Sequence, residues 1–146
     1  MQFTYQIQFN APIEEVFHWL VDPQKQQEWK TELLETKWLE LYNPENPVGI
    51  RFTQTVRQGK NTLELDGEVI EYYRPNIYGV KINKGSLSEE IIYRLEPLTS
   101  KQCRLHFKCT VQSRTAVSKP KEWFAFLPSR FHHVKQLQRL KQQIEQ

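Results

Sequence analysis

The side chains that could do chemistry in this chain are few and scattered. Tyr5, Gln54, Glu71, Tyr73 and Tyr93 each fall in register with apolar neighbours, on what should be the inner side of a strand. A polar tip in an apolar chamber either pairs internally or meets a ligand. Among them, Glu71 and Tyr93 are the groups that an acid–base reaction would use, although no second titrating residue pairs with Glu71 in sequence. Glu64, Asp66 and Glu68 stand at i, i+2 and i+4, a spacing that could hold a cation. The alternating Leu63, Leu65 and Val69 place those acids on the wet side of a strand instead. His132 and His133 are adjacent, so on a helix they point about 100° apart and make a poor pair of metal ligands. They are expected at the surface or its boundary. His18 should edge a helix, and His106, between Leu105 and Phe107, should face solvent. Cys103 and Cys109 lie on one strand, about 20 Å apart, whereas a disulfide needs Cα atoms within about 7 Å. Both are expected as buried, reduced thiols.

Other chemistries lack their motifs. Five glycines leave little room for a phosphate-cradling loop. There is no Cys-x-x-Cys, no His-Glu-x-x-His and no Gly-x-Ser-x-Gly elbow. No metal, cofactor or catalytic set is therefore expected.

The elements that must position these residues are legible from periodicity. Phe3, Tyr5, Ile7 and Phe9 alternate with Gln2, Thr4, Gln6 and Gln8, a strand with one wet face. Pro12 with Glu14 and Glu15 opens a helix whose stripe is Ile13, Val16, Phe17 and Leu20, ending near Asp22-Pro23. A second short helix is predicted over 24–33, with Trp29 inward. Strands follow at 36–42, 50–58, 62–73, 77–83, 87–95 and 102–111, separated by Asn/Pro/Gly turns. Gly67 suggests a bulge or bend in the long fourth strand. The last strand aligns Cys103, Leu105, Phe107, Cys109 and Val111. Residues 119–146 repeat apolar side chains at helical spacing (Phe124, Leu127, Phe131, Val134, Leu137, Leu140, Ile144), with Pro128 expected to kink or divide the helix. Seven strands burying one face on a long helix form an α+β layer arrangement.

Size and composition agree. The 146 residues fit one domain over 1–146, large enough to bury its own core. No run approaches the roughly 20 apolar residues of a membrane span, and no secretory signal is visible, so the cytoplasm is the expected location. Charge is uneven. Residues 1–100 carry ten bases and fifteen acids, net −5, and residues 101–146 carry ten bases and two acids, net +8. Lys119, Lys121, Arg130, Lys135, Arg139 and Lys141 could gather on the outer side of the last helix and attract a protein or anionic-lipid surface. Nucleic acid is disfavoured, because the nearby rings Phe124 and Phe131 fit the buried stripe and so would not stack on bases.

The order of elements, with Ile7-Gln8-Phe9-Asn10-Ala11-Pro12-Ile13-Glu14-Glu15-Val16-Phe17, Asp22-Pro23, Glu28-Trp29, Val48-Gly49-Ile50-Arg51-Phe52, Gly67-Glu68-Val69-Ile70-Glu71-Tyr72 and Tyr93-Arg94-Leu95-Glu96-Pro97, resembles the START-like or Bet v 1-like superfamily. This group is also called SRPBCC, or polyketide cyclase/dehydrase and lipid transport. The resemblance implies a helix-grip fold: a seven-stranded curved antiparallel sheet wrapped around a long C-terminal helix, with two short helices after strand 1. It also implies a cavity for lipids, sterols, polyketides or similar molecules, and it carries over no catalytic residue.

Three functions follow as expectations. The first is binding of a small hydrophobic or amphipathic ligand in a cavity formed by Tyr5, Phe52, Gln54, Leu65, Val69, Tyr73, Tyr93, Phe107, Phe124, Leu127 and Phe131. The second is docking onto a macromolecular partner through Lys119, Arg130, Lys135 and Arg139, by a monomer or weak dimer. The third is cyclase or dehydratase chemistry at Glu71 and Tyr93.

Overall fold

A computed structural model describes residues 1–113 and 119–146, with the side chains of 1–113 and 128–146. The elements run β1 (Gln2–Phe9), α1 (Ile13–Val21), α2 (Pro23–Trp29), β2 (Leu33–Trp38), β3 (Arg51–Gln58), β4 (Asn61–Tyr73), β5 (Ile77–Lys84), β6 (Leu87–Thr99), β7 (Gln102–Ser113) and α3 (Lys119–Ile144). The seven strands form one curved antiparallel sheet in the order β1-β7-β6-β5-β4-β3-β2. Consecutive strands from β2 to β7 are neighbours, and β1 closes the far edge on β7. The helical crossover of α1 and α2 carries the chain from one edge to the other.

Local sequence explains the crossover. Acidic Glu14 and Glu15 sit in the first turn of α1, where the helix dipole favours negative charge. Its Val16, Phe17 and Leu20 are buried. Asp22 ends α1 and caps α2, accepting from the Lys25 N–H at 3.0 Å, with Pro23 in the first turn. The inner ends are tied by side chains. Trp29 Nε1 donates to the Trp19 carbonyl at 3.0 Å, and Gln26 Nε2 donates to the Leu20 carbonyl at 2.7 Å.

The core lies on the concave sheet face. It includes the expected row of β7 (Cys103, Leu105, Phe107, Cys109 and Val111, all buried) and Leu137 and Leu140 of α3. Several local expectations are corrected. β2 starts at Leu33 and stops at Trp38, where the indole packs on Phe52 and Tyr42; Leu41 beyond it is fully out in solvent. Gly67 marks a close approach. A Cβ there would lie 2.3 Å from the Phe52 ring, so only glycine lets that ring lie across β4. The bulge comes later, between Val69 and Glu71. One extra residue inverts the alternation, which turns Tyr72 inward against Phe17 and Tyr78 and sends Glu71 and Tyr73 outward. α3 runs through Pro128 as a single helix.

Candidate functional site

The concave face carries a cavity of about 300 Å³ between the sheet, the α2–β2 junction and the middle of α3. Its apolar wall comes from alternate residues of four strands, including Phe52, Leu65, Val80, Ile82 and Ile91. Its polar rim comes from Gln26 and Lys30 at the end of α2, Glu32, Gln54 on β3, and His132, His133 and Gln136 on α3. Arg57 and Gln58 of β3 and Lys84 of β5 also line it, so the cavity pairs an apolar wall on the sheet with a polar rim drawn from the helices and from the strand ends.

Behind the rim lies a buried polar cluster. Glu89 points inward from β6, in line with Ile91, Tyr93 and Leu95, and its carboxylate accepts from three nitrogen and oxygen donors and, at 3.8 Å, from the Cys109 thiol. The three are His133 Nε2 at 2.8 Å, Ser129 Oγ at 3.0 Å and Lys84 Nζ at 3.1 Å. Burial alone would push the carboxyl up, but the His133 hydrogen bond and the Lys84 charge outweigh it and hold Glu89 well below the usual carboxylate range. His133 is held below its ordinary value by burial, against the pull of Glu89. An ionised carboxylate only accepts, so the neutral imidazole carries its proton on Nε2. The ring also packs 5.3 Å from Phe107 and 6.1 Å from Phe3.

Glu89, Cys109 and His133 bring one donor atom each within 4.8 Å of one another. These donor types suit a zinc-like ion. The Lys84 ammonium on the same carboxylate opposes a cation, and burial pushes the Cys109 thiol up to about 12. As the geometry stands, this cluster anchors α3 to the sheet.

Two further rim groups stand out. Lys30 is half-buried with its ammonium 5.0 Å from the Trp29 ring centroid, and burial followed by the Lys84 charge lowers it to about 8. Glu32 Oε2 has no hydrogen-bond partner, although His132 Nε2 stands 3.8 Å away. Burial lowers His132 as well, against the pull of Glu32.

The structure sorts the residues predicted from sequence. Phe52, Gln54 and Leu65 line the cavity. Val69, Tyr93 and Phe107 are core beside it. Tyr93 is locked edge-on against Trp29 and Phe107, and burial raises its phenol far above the usual value. Tyr5 faces inward but only packs at the core's margin on β1. Three expectations are overturned. Tyr73 is 68% exposed and Glu71 is exposed, because the β4 bulge reverses their faces. Glu71 therefore cannot serve as an inward acid or base. Phe131 is 68% exposed, because it lies nine residues, about two and a half turns, from buried Leu140 and so on the opposite side of α3. The face turned to the sheet runs through His133, Leu137 and Leu140, which also corrects the placement of His133 at the boundary. Phe124, Leu127 and Lys119 lie outside the described side chains. Arg130, Lys135 and Arg139 are exposed, but Arg139 Nε donates to the Glu28 carbonyl at 3.2 Å. Lys141 is engaged by the Gln8 carbonyl and Glu145.

Residues 1–145 match the polyketide cyclase / dehydrase and lipid transport family. The chain belongs to that family. No curated protein matches it. Among solved structures, the family member is similar to the di-domain ARO/CYC BexL from the BE-7585A biosynthetic pathway, with a TM-score of 0.83 at 9% identity over 99% of this chain. It spans 46% of the length of that protein. A START superfamily protein from Mycobacterium smegmatis aligns with a TM-score of 0.74 at 15% identity over 98% of each chain. Ara h 8.0201 aligns with a TM-score of 0.74 at 12% identity, over 99% of this chain and 97% of its own. At these identities the likeness shows the shared helix-grip fold. Among the described residues, no helix is long and apolar enough to cross a membrane.

Proposed function

We propose that this family member binds a small amphipathic molecule in the cavity between sheet and C-terminal helix. The observation that carries the reading is the pairing of apolar wall and polar rim. An apolar body would lie against Phe52, Leu65, Val80 and Ile82, with a polar end at Lys30, Gln54 and Gln136. Affinity would come mainly from apolar burial, at about 25 cal/mol per Å² before ordering costs. Native mass spectrometry and thermal shift with a panel of fatty, aromatic and polyketide-like molecules test it, alongside the cavity-filling variant Val80→Trp. The expected result is a retained adduct and a raised midpoint for some panel member, lost in a folded Val80→Trp protein. No adduct with any member, or equal binding by the filled variant, overturns the reading.

A second reading is favoured by one observation. Phe131 stands exposed on α3 beside Arg130 and Lys135, a ring among bases that fits an anionic-lipid surface better than solvent. Sedimentation with anionic vesicles across a salt series should then show binding that fades with salt and falls in an Arg130→Glu/Lys135→Glu variant. Equal, salt-independent retention of both proteins removes it.

A further inference from the structure

Lys30 differs from Lys84, the other lysine of the cavity, in having no counter-ion among the described residues. Lys84 spends its charge on Glu89. No carboxylate lies within salt-bridge distance of Lys30 among the described residues, and its ammonium rests over the Trp29 ring on the wall of the cavity. Its backbone is pinned where α2 ends, with its N–H on the Gln26 carbonyl at 2.8 Å and its carbonyl accepting from Leu33 at 3.0 Å. The side chain is therefore presented to the cavity from a fixed root.

From this geometry we infer that Lys30 captures an apolar aldehyde or ketone in the cavity as a reversible imine. The inference rests on the cavity reading above. An ammonium without a carboxylate partner, beside apolar walls and a second cation, gives up its proton readily. With its value near 8, the free-amine fraction at neutral pH is about 300 times that of an ordinary lysine.

The step balances without any further reagent. The Lys30 ammonium first releases a proton to solvent. Its nitrogen lone pair attacks the carbonyl carbon, the C=O π pair moves to oxygen, and a proton shifts from nitrogen to oxygen to give a carbinolamine. The hydroxyl then leaves with one proton as water while the nitrogen lone pair forms the C=N bond. Nothing is oxidised or reduced. Glu32 and His132, on the same rim and 3.8 Å apart, are groups able to pass that proton.

Hydrocinnamaldehyde with sodium cyanoborohydride at neutral pH tests the inference on the intact chain. The hydride traps the imine as a secondary amine; water is lost and two hydrogens are gained, so the mass rises by that of the aldehyde less one oxygen. Peptide mapping should place the adduct at Lys30, with an initial rate at least about tenfold above any surface lysine. Lys30→Arg and Lys30→Met should lose that fast phase while keeping their thermal midpoints within a few degrees. Hydrocinnamyl alcohol, which cannot form an imine, should raise the midpoint and slow labelling of Lys30. Adduct spread evenly over the lysines, or the same fast phase in Lys30→Arg, overturns the inference. If the alcohol raises the midpoint while Lys30 stays unlabelled, imine chemistry fails and the cavity reading stands. If neither compound shifts the midpoint and no fast phase occurs, both fail for this ligand class.

Discussion

Replacing Glu89 with Gln probes what holds the C-terminal helix on the sheet. The carboxylate is 5% exposed and accepts from His133, Ser129 and Lys84 at 2.8, 3.0 and 3.1 Å. An amide keeps the shape but removes the charge, and it turns one accepting oxygen into a donor that then faces a donor. Hydrogen bonds to a charged group are worth about 1.5–3 kcal/mol, and breaking a buried pair costs about 3–5 kcal/mol. Lys84 is 37% exposed and regains part of its hydration, which brings the expected loss down to about 2–3 kcal/mol. At about 3 °C per kcal/mol, the thermal midpoint of a chain this long should fall by roughly 6–9 °C. Urea unfolding of wild type, Glu89→Gln, Lys84→Met and the double variant measures the loss and the coupling, expected at about 1–2 kcal/mol. A loss under about 0.5 kcal/mol, or additive single effects, would refute the claim that this pair is structural.

The same cluster sets the acid response. His133 is lowered in the fold, so the unfolded chain takes up its proton first, and the stability this gives is full above about 6.5 and declines as pH falls below it. Glu89, also lowered, adds a second decline below about 4.5. Midpoints measured from pH 8 to 3 should show both, and His133→Gln should flatten the upper one. Gly67→Ala forces a Cβ to 2.3 Å from the Phe52 ring and should cost about 1–3 kcal/mol in urea unfolding. Leu140→Ala should cost about 2–5 kcal/mol, whereas Phe131→Ala should stay within about 0.5 kcal/mol; comparable losses would contradict the helix face described above. Burial pushes Cys103 up to about 11 and Cys109 to about 12, so neither thiol should react with iodoacetamide at neutral pH until the protein unfolds.

The architecture was legible because period-two and period-3.6 patterns are properties of the chain itself. The β7 row buries as its spacing implies, and the β1 alternation and the α1 stripe turn inward as expected, with Tyr5, Ile7 and Ile13 only partly buried. What escaped was decided between elements. An extra residue at Ile70 is invisible in composition, yet it exchanges the faces of Glu71, Tyr72 and Tyr73. On α3 the expected stripe held Leu137 and Leu140, which bury, but also the aromatic Phe131, which hydrophobicity favoured and the helix turns outward. The face that won carries His133, whose partner Glu89 lies forty-four residues earlier. Glu89 itself had a signal, since it shares strand parity with Ile91, Tyr93 and Leu95. An acid on an inward row calls for a buried donor. Lys30 and Glu32 had none, because they reach the cavity only through the path of the chain where α2 gives way to β2.

The end of α3 has a consequence for how this sheet avoids other sheets. β1 is a regular edge strand whose outer backbone groups have, among the described residues, no strand beside them, a template on which another chain could pair. The last turns of α3 occupy part of that template. Lys141 Nζ donates to the Gln8 carbonyl at 2.6 Å, and Glu145 accepts from the Asn10 backbone N–H at 3.2 Å. The opposite edge, β2, is only six residues long and is interrupted between Leu33 and Glu35. Fraying of the final helical turn would therefore free a strand edge as well as loosen a helix, and the product to expect is intermolecular β-pairing along β1 rather than a soluble, partly unfolded monomer.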